Sequence, residues 1–227
     1  MRIAKFLAQA GICSRREAEK LIEAGEIEID GKIISNPAIK ISQENIIKYK
    51  NKLITHQHNI RLWLFHKPAG YLVTNKDDRD RAIIFDILPK SLPRVITIGR
   101  LDYNSEGLLL LTNNGDFARK LELPINKFAR TYKVRIFGEI SKEHLEILSK
   151  GVTIEKINYQ PFKIKIINIS QNSWLEVTIH EGKNREIRKV FSHLGYQVNR
   201  LIRISYGKYK LNNLKQGEIQ EIEIEEI

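Results

Sequence analysis

Four consecutive leucines, Leu108 to Leu111, constrain this chain more than any other feature, because such a run fits a strand covered on both faces. Gly107 bounds it on one side and Asn113-Asn114-Gly115 marks a turn on the other, which leaves it too short for a helix. Just upstream, Gly99-Arg100-Leu101-Asp102-Tyr103-Asn104-Ser105-Glu106 places Asp102 in a Gly-bounded loop at the mouth of that strand. A carboxylate there is held stiffly and can still meet a ligand. Asp is equally at home capping a turn, and Arg-Leu-Asp by itself reads readily that way.

At 227 residues the chain exceeds one usual domain, so a main domain and a smaller one are expected. Hydrophobic residues, at 42%, suffice for a real core. The balance of 38 Lys+Arg against 27 Asp+Glu gives a formal charge of +11 and a pI near 9.6. That favours a polyanionic partner, nucleic acid first. One cysteine, Cys13, excludes an intramolecular disulfide and a Cys-rich metal site, as expected in a reducing compartment. No run approaches transmembrane length. The N-terminus lacks the apolar segment of a secretory signal, and Glu17 and Glu19 argue against a transit peptide. A cytoplasmic chain with no membrane partner is expected, as a monomer.

Ile3, Phe6, Leu7 and Ala10 have the spacing of an amphipathic helix that Gly11 ends. Ser14 with Glu17 predicts a capping box for a second helix, closed by Gly25. The period then switches: Ile27 and Ile29 alternate with acids, Asp30-Gly31 predicts a hairpin turn, and Ile33 and Ile34 resume the apolar pattern. This module exposes Arg2, Lys5, Arg15, Arg16, Lys20 and Lys32, either as a solvated face diluted by acids or as a phosphate-binding surface. Residues from about Lys50 to Ile60 are polar and aperiodic and read as a linker, which divides the chain into 1–55, 56–60 and 61–227. His56 and His58 fall there without a third ligand nearby and are read as linker residues.

The larger part opens with a strand from Arg61 to Phe65, then Lys67-Pro68-Ala69-Gly70, where Pro68 and Gly70 force a turn between two strands. Lys67 is presented at that corner, as an exposed turn lysine or as a ligand contact. Asp77-Asp78-Arg79-Asp80-Arg81 reads as a charged loop, its interleaved arginines weakening any metal site. Ile83, Ile84, Ile87 and Leu88 form a short helical stripe ended by Pro89. Asn114 or Asp116 caps a helix stopped near Pro124. On the basic strand Thr131 to Phe137, Tyr132 shares a face with Val134 and Ile136, so it is a core tyrosine or a base-stacking one. A capped helix from Ser141 to Leu148 is followed by alternating strands near residues 162–166 and 175–179. His180 to Phe191 reads as strand, Gly turn and helix, with Arg188 bordering the apolar stripe. A strand from Val198 to Tyr206 and a final edge strand complete an α+β fold on a mixed, mostly antiparallel sheet with flanking helices.

Gly11, Ser14-Arg15-Arg16, Ala18, Leu21-Ile22, Gly25 and Asp30-Gly31-Lys32 resemble the S4 domain, a small RNA-binding helix-helix-hairpin module. Lys67 to Gly70, Gly99 to Gly115, Tyr132 ahead of Val134, and Glu181 to Arg185 with Ile187-Arg188 resemble the pseudouridine synthases that act on ribosomal RNA and carry an N-terminal S4 domain. The resemblance spans nearly the whole chain. It implies Asp102 as nucleophile, Tyr132 stacking on the target uracil, Arg188 as ion-pair partner of Asp102 and Leu201 as an apolar wall. It also implies substrate contacts from Lys67, Arg100, Lys183, Asn184 and Arg185, and S4 contacts to RNA from Arg2, Lys5, Arg15, Arg16 and Lys32. No cofactor and no metal are implied, and the partner is ribosomal RNA, free or in a pre-ribosomal particle. Asn184-Arg185-Glu186 and Arg200 to Arg203 look closer to the large-subunit branch. Asn114 stands where an acid is usual, and Glu186 where Gln is frequent. The competing reading is a non-catalytic RNA-binding or ribosome-assembly protein of the same fold.

Overall fold

The computed structural model describes residues 1–55 and 59–224. The first part holds α1 (Ile3–Gln9), α2 (Arg15–Glu23), β1 (Ile27–Ile29), β2 (Lys32–Ile34), β3 (Ile47–Tyr49) and β4 (Lys52–Leu53). The remainder begins with β5 (Leu62–Lys67), β6 (Ile96–Ile98), β7 (Glu106–Thr112), α3 (Gly115–Glu122), β8 (Arg130–Phe137) and α4 (Lys142–Lys150). It continues with β9 (Val152–Ile154), β10 (Ile157–Tyr159), β11 (Lys163–Asn168), β12 (Asn172–Ile179), α5 (Glu186–His193), β13 (Val198–Tyr206), β14 (Tyr209–Lys210) and β15 (Ile219–Ile222).

In the N-terminal part, Ile3, Phe6 and Leu7 of α1 pack against Ala18 and Ile22 of α2 over Ile27 and Ile47. Both arms of the Ser14–Glu17 capping box are formed. Asp30 and Gly31 take φ of 51° and 77°, as a type I′ hairpin turn requires. The sheet order is β2-β1-β3-β4. The linker expected from Lys50 starts too early: Lys50 and Asn51, both at positive φ, turn the chain into β4, and Ile54 is buried in the same core. A turn without glycine hid this strand from the sequence. His56 and His58 lie outside the described residues.

The large sheet runs β11-β12-β8-β13-β7-β5-β15, with β6 against β7 and β14 against β13. It is antiparallel throughout except for β13 and β7, which run parallel at Ile202↔Glu106 and Arg203↔Gly107. The leucine run lies in β7 and is covered on both faces. Leu109 and Leu111 join the core beneath α5, while Leu108 and Leu110 pack against α3. Gly107 permits the parallel pairing: its φ is +104°, and a Cβ would lie 2.3 Å from the Arg203 carbonyl oxygen. Asn114 caps α3 by accepting the N–H groups of Asp116 and Phe117. The stripe at residues 83–88 makes only a 3-10 turn, Ile84–Asp86, and Leu72 forms a single bridge to Ile83 where a strand was expected. Ile84 is buried and Phe85, Ile87 and Leu88 pack half-buried against the same core, but Pro89 follows directly and leaves no length for a longer helix.

Candidate active site

Asp102 sits in the loop joining β6 to β7, and that loop is stitched from beneath by Lys67. Lys67 is fully buried, and its Nζ donates to the carbonyls of Pro68 and Ser105 at 2.9 Å and of Asp102 and Tyr103 at 3.3 Å. Burial lowers its pKa to about 8, while Asp102 and Glu106 pull it upward. With its donors spent on main-chain oxygens, Lys67 is not the substrate contact that the resemblance implied. It positions the loop. The Gly70 N–H donates to the Tyr103 carbonyl and the Ser105 N–H to that of Asp102, so the loop is closed by its own backbone as well.

The cation beside Asp102 is Arg185, whose Nη1 lies 3.9 Å from Oδ2. Arg188, the partner implied by the resemblance, donates instead to the carbonyls of Val198 at 2.8 Å and Asn104 at 3.2 Å. It ties α5 to β13 and to the Asp102 loop. The reason is local: Arg185 adopts a left-handed conformation (φ 52°) as the residue before α5, and Arg188 stands a turn further along among unpaired carbonyls. Burial and then Arg185 lower the Arg188 pKa, and Asp102 raises it, so its charge still acts on Asp102 at longer range. Glu186 is buried; one carboxylate oxygen accepts the Lys183 N–H at 3.0 Å and the other has no partner. Burial raises its pKa.

Asp102, Tyr132, Leu201, Lys183, Arg185 and Arg100 line one cavity of about 150 Å³. That is room for roughly five waters, or one planar ring the size of a displaced base. Tyr132 is 8% exposed and belongs both to the core and to the cavity wall, so its two readings are not exclusive. Asn184 lies in an adjoining groove of about 770 Å³ that shares Arg100, Asp102, Lys183 and Arg185. Arg188 and Lys67 line neither. Asp77 is held by Arg81 in that groove at 2.7 Å, which sets its carboxyl well below the usual range.

Two cavity arginines were not singled out from the sequence. Arg130 donates to the Glu181 carbonyl at 2.7 Å and to the Tyr206 hydroxyl at 2.9 Å. Arg203 is 2% exposed, donates to the Leu108 carbonyl at 2.7 Å and stacks 5.2 Å from the Tyr206 ring. Strand parity could have found both: Arg130 precedes Tyr132 by two residues, and Arg203 follows Leu201 by two.

Among the S4-type cations, Arg2, Arg15, Arg16 and Lys32 are exposed. Lys5 is not free for RNA. Its Nζ lies 2.6 Å from Asp116 in the first turn of α3, and Gln9 donates to the same carboxylate at 3.1 Å. This contact joins α1 to the large sheet's helical cover.

A family model described as RNA pseudouridylate synthase matches residues 61–193, and an S4 domain model matches residues 1–47. An "Uncharacterized RNA pseudouridine synthase" of Rickettsia bellii is 50% identical over 97% of this chain and 96% of its own length. The "Ribosomal large subunit pseudouridine synthase B" of Bacillus subtilis is 34% identical over 100% of this chain and 93% of its own. The Buchnera aphidicola protein of that name is 38% identical over 100% and 94%. A crystal structure of a pseudouridylate synthase superposes with a TM-score of 0.70 at 26% identity, covering 98% of this chain and 96% of that one. With a cationic cavity around one accessible carboxylate and these matches along its length, the chain belongs to the RNA pseudouridylate synthases that carry an S4 domain.

Proposed function

We propose that this enzyme isomerises a specific uridine of large-subunit ribosomal RNA to pseudouridine, with Asp102 as nucleophile. The observation that carries the reading is the pairing of roles in the cavity. Among the described residues two carboxylates line it: Glu186 is buried and tied to the Lys183 N–H, while Asp102 is partly exposed beside Arg185. The names of the Bacillus subtilis and Buchnera aphidicola relatives support the large subunit as target.

The reaction breaks the N1–C1′ bond, turns the uracil and joins C5 to C1′, and a proton passes from C5 to N1. No electrons are exchanged and no water is consumed, so no cofactor is required. Asp102 attacks either the ribose C1′ or the uracil C6, and both routes need a carboxylate as nucleophile. The uridine must leave its stack at a cost of a few kcal/mol, part of which the Tyr132 ring recovers while Leu201 bounds the base. Arg100, Arg130, Lys183 and Arg185 face the phosphates around it.

The test is Asp102→Asn, combined with mapping of pseudouridines in ribosomal RNA from cells with and without the gene. One site should vanish with the gene, and the variant should fail to restore it while binding RNA within a few-fold of wild type. Isomerisation persisting in the variant would remove Asp102 from the role. An unchanged pseudouridine map would favour the non-catalytic alternative.

A further inference from the structure

The large sheet is clothed unequally. On one face Tyr132, Val134, Leu175, Val177 and Leu201 enter the main core. On the other, α3 covers only the leucine strand and its neighbours, through Phe117, Ala118 and Leu121. Over β11, β12 and β8 that second face is open, and the register sets out what it displays. Lys165, Glu176 and Lys133 form one row across three strands. Trp174 and Arg135 form the next, with Lys163 at one end of the face and Phe137 at the other.

A solvated sheet face is ordinarily polar, and most of this one conforms. Two features do not. Trp174 stands among the outward, half-buried residues of β12, and Phe137 near the end of β8 is 55% exposed. Lys133, Arg135, Lys163 and Lys165 also lack any ion-pair partner among the described residues, whereas Arg200 on the same face is held by Glu106 at 2.9 Å. The single acid among these rows is Glu176. The cations lie on β8 and β11, which flank the strand bearing Trp174 at about 4.8 Å on either side. A stacking aromatic between two rows of phosphate-binding groups is the chemistry that takes up single-stranded nucleic acid.

We propose that the open face of β11, β12 and β8 is a further RNA-binding surface, where bases of a single-stranded segment stack on Trp174 and Phe137 and its phosphates meet Lys133, Arg135, Lys163 and Lys165. The surface lies across the sheet from Tyr132, so it holds RNA flanking the target and not the target uridine. The inference rests on RNA being the substrate.

The test uses the full chain and a labelled 20-nucleotide oligouridylate titrated over a range of salt. Replacing Lys133, Arg135 and Lys165 together by Ala should weaken binding on the order of tenfold and reduce the salt slope by about 2. Trp174→Ala should weaken it at least about fivefold, and Trp174→Phe should restore most of it. Melting temperature and turnover at saturating ribosomal RNA should stay at wild-type values. A second measurement needs no variant: photocrosslinking of a 4-thiouridine oligomer to the wild-type chain should label the strands bearing Trp174 and Phe137. Unchanged affinity and slope, or crosslinks confined to the Asp102 cleft and the N-terminal module, would overturn the proposal. So would variants that alter only self-association, since the face would then receive a second copy of the chain. If the wild type forms no pseudouridine and the oligouridylate results still hold, the failure belongs to the proposed reaction and not to this surface.

Discussion

Replacing Lys67 by Met separates what a buried ammonium does for the fold from what it does for the active site. Lys67 is fully buried, and its pKa falls from 10.5 to about 8, chiefly through burial. Between pH 8 and 10.5 the folded chain therefore binds fewer protons at this group than the unfolded chain does. Stability contributed here rises with pH through that window and is lowest below it. The full shift corresponds to about 3 kcal/mol, and solvent screening reduces it toward about 2 kcal/mol. Urea unfolding of wild type and Lys67→Met at pH 7.5 and pH 10.5 measures this directly, because every other titrating group cancels in the difference. The wild-type advantage should grow by about 2 to 3 kcal/mol at the higher pH. At pH 7.5 the variant leaves the Pro68 and Ser105 carbonyls without their donor, at about 1–3 kcal/mol for each buried acceptor. Turnover should fall at least about tenfold as the Asp102 loop loosens. Parallel stability profiles for the two proteins would refute the burial argument, and unaltered turnover would refute the positioning role.

Gly107→Ala places a Cβ 2.3 Å from the Arg203 carbonyl oxygen at a φ of +104°, so thermal unfolding should show a loss of at least about 3 kcal/mol. Arg185→Ala should chiefly raise KM, because it removes an exposed cation next to Asp102. Arg188→Ala should lower both kcat and the melting temperature, since the Val198 and Asn104 carbonyls lose their donor; equal kinetic profiles for the two variants would contradict the assignment. Asp116→Asn should cost less than about 1 kcal/mol of stability yet enlarge the radius of gyration in small-angle scattering, by releasing Lys5 and Gln9. Lys5 holds the Asp116 carboxyl below its usual range, so lowering the pH through that depressed value should produce the same expansion in the wild type.

Local pattern determined a good deal of this protein by itself. The leucine run specified a strand with both faces covered, Ser14 with Glu17 specified the start of α2, and Asp30-Gly31 specified a hairpin, because each rests on chemistry within a few residues. The long motif around Asp102 pointed to the reaction only through its resemblance to the pseudouridine synthases. What no local pattern contains is where a long cationic side chain ends. Lys67, at a turn and apparently available to solvent by its sequence context, runs inward to four carbonyls drawn from two segments of chain. Arg188 goes to Val198 and Asn104, leaving Arg185 to face Asp102, and Lys5 goes to Asp116 more than a hundred residues away. These destinations were decided only by tertiary structure: a buried or half-buried cation must find acceptors, and which carbonyls and carboxylates stand unpaired at each spot depends on strands and helices that meet only when the chain has folded.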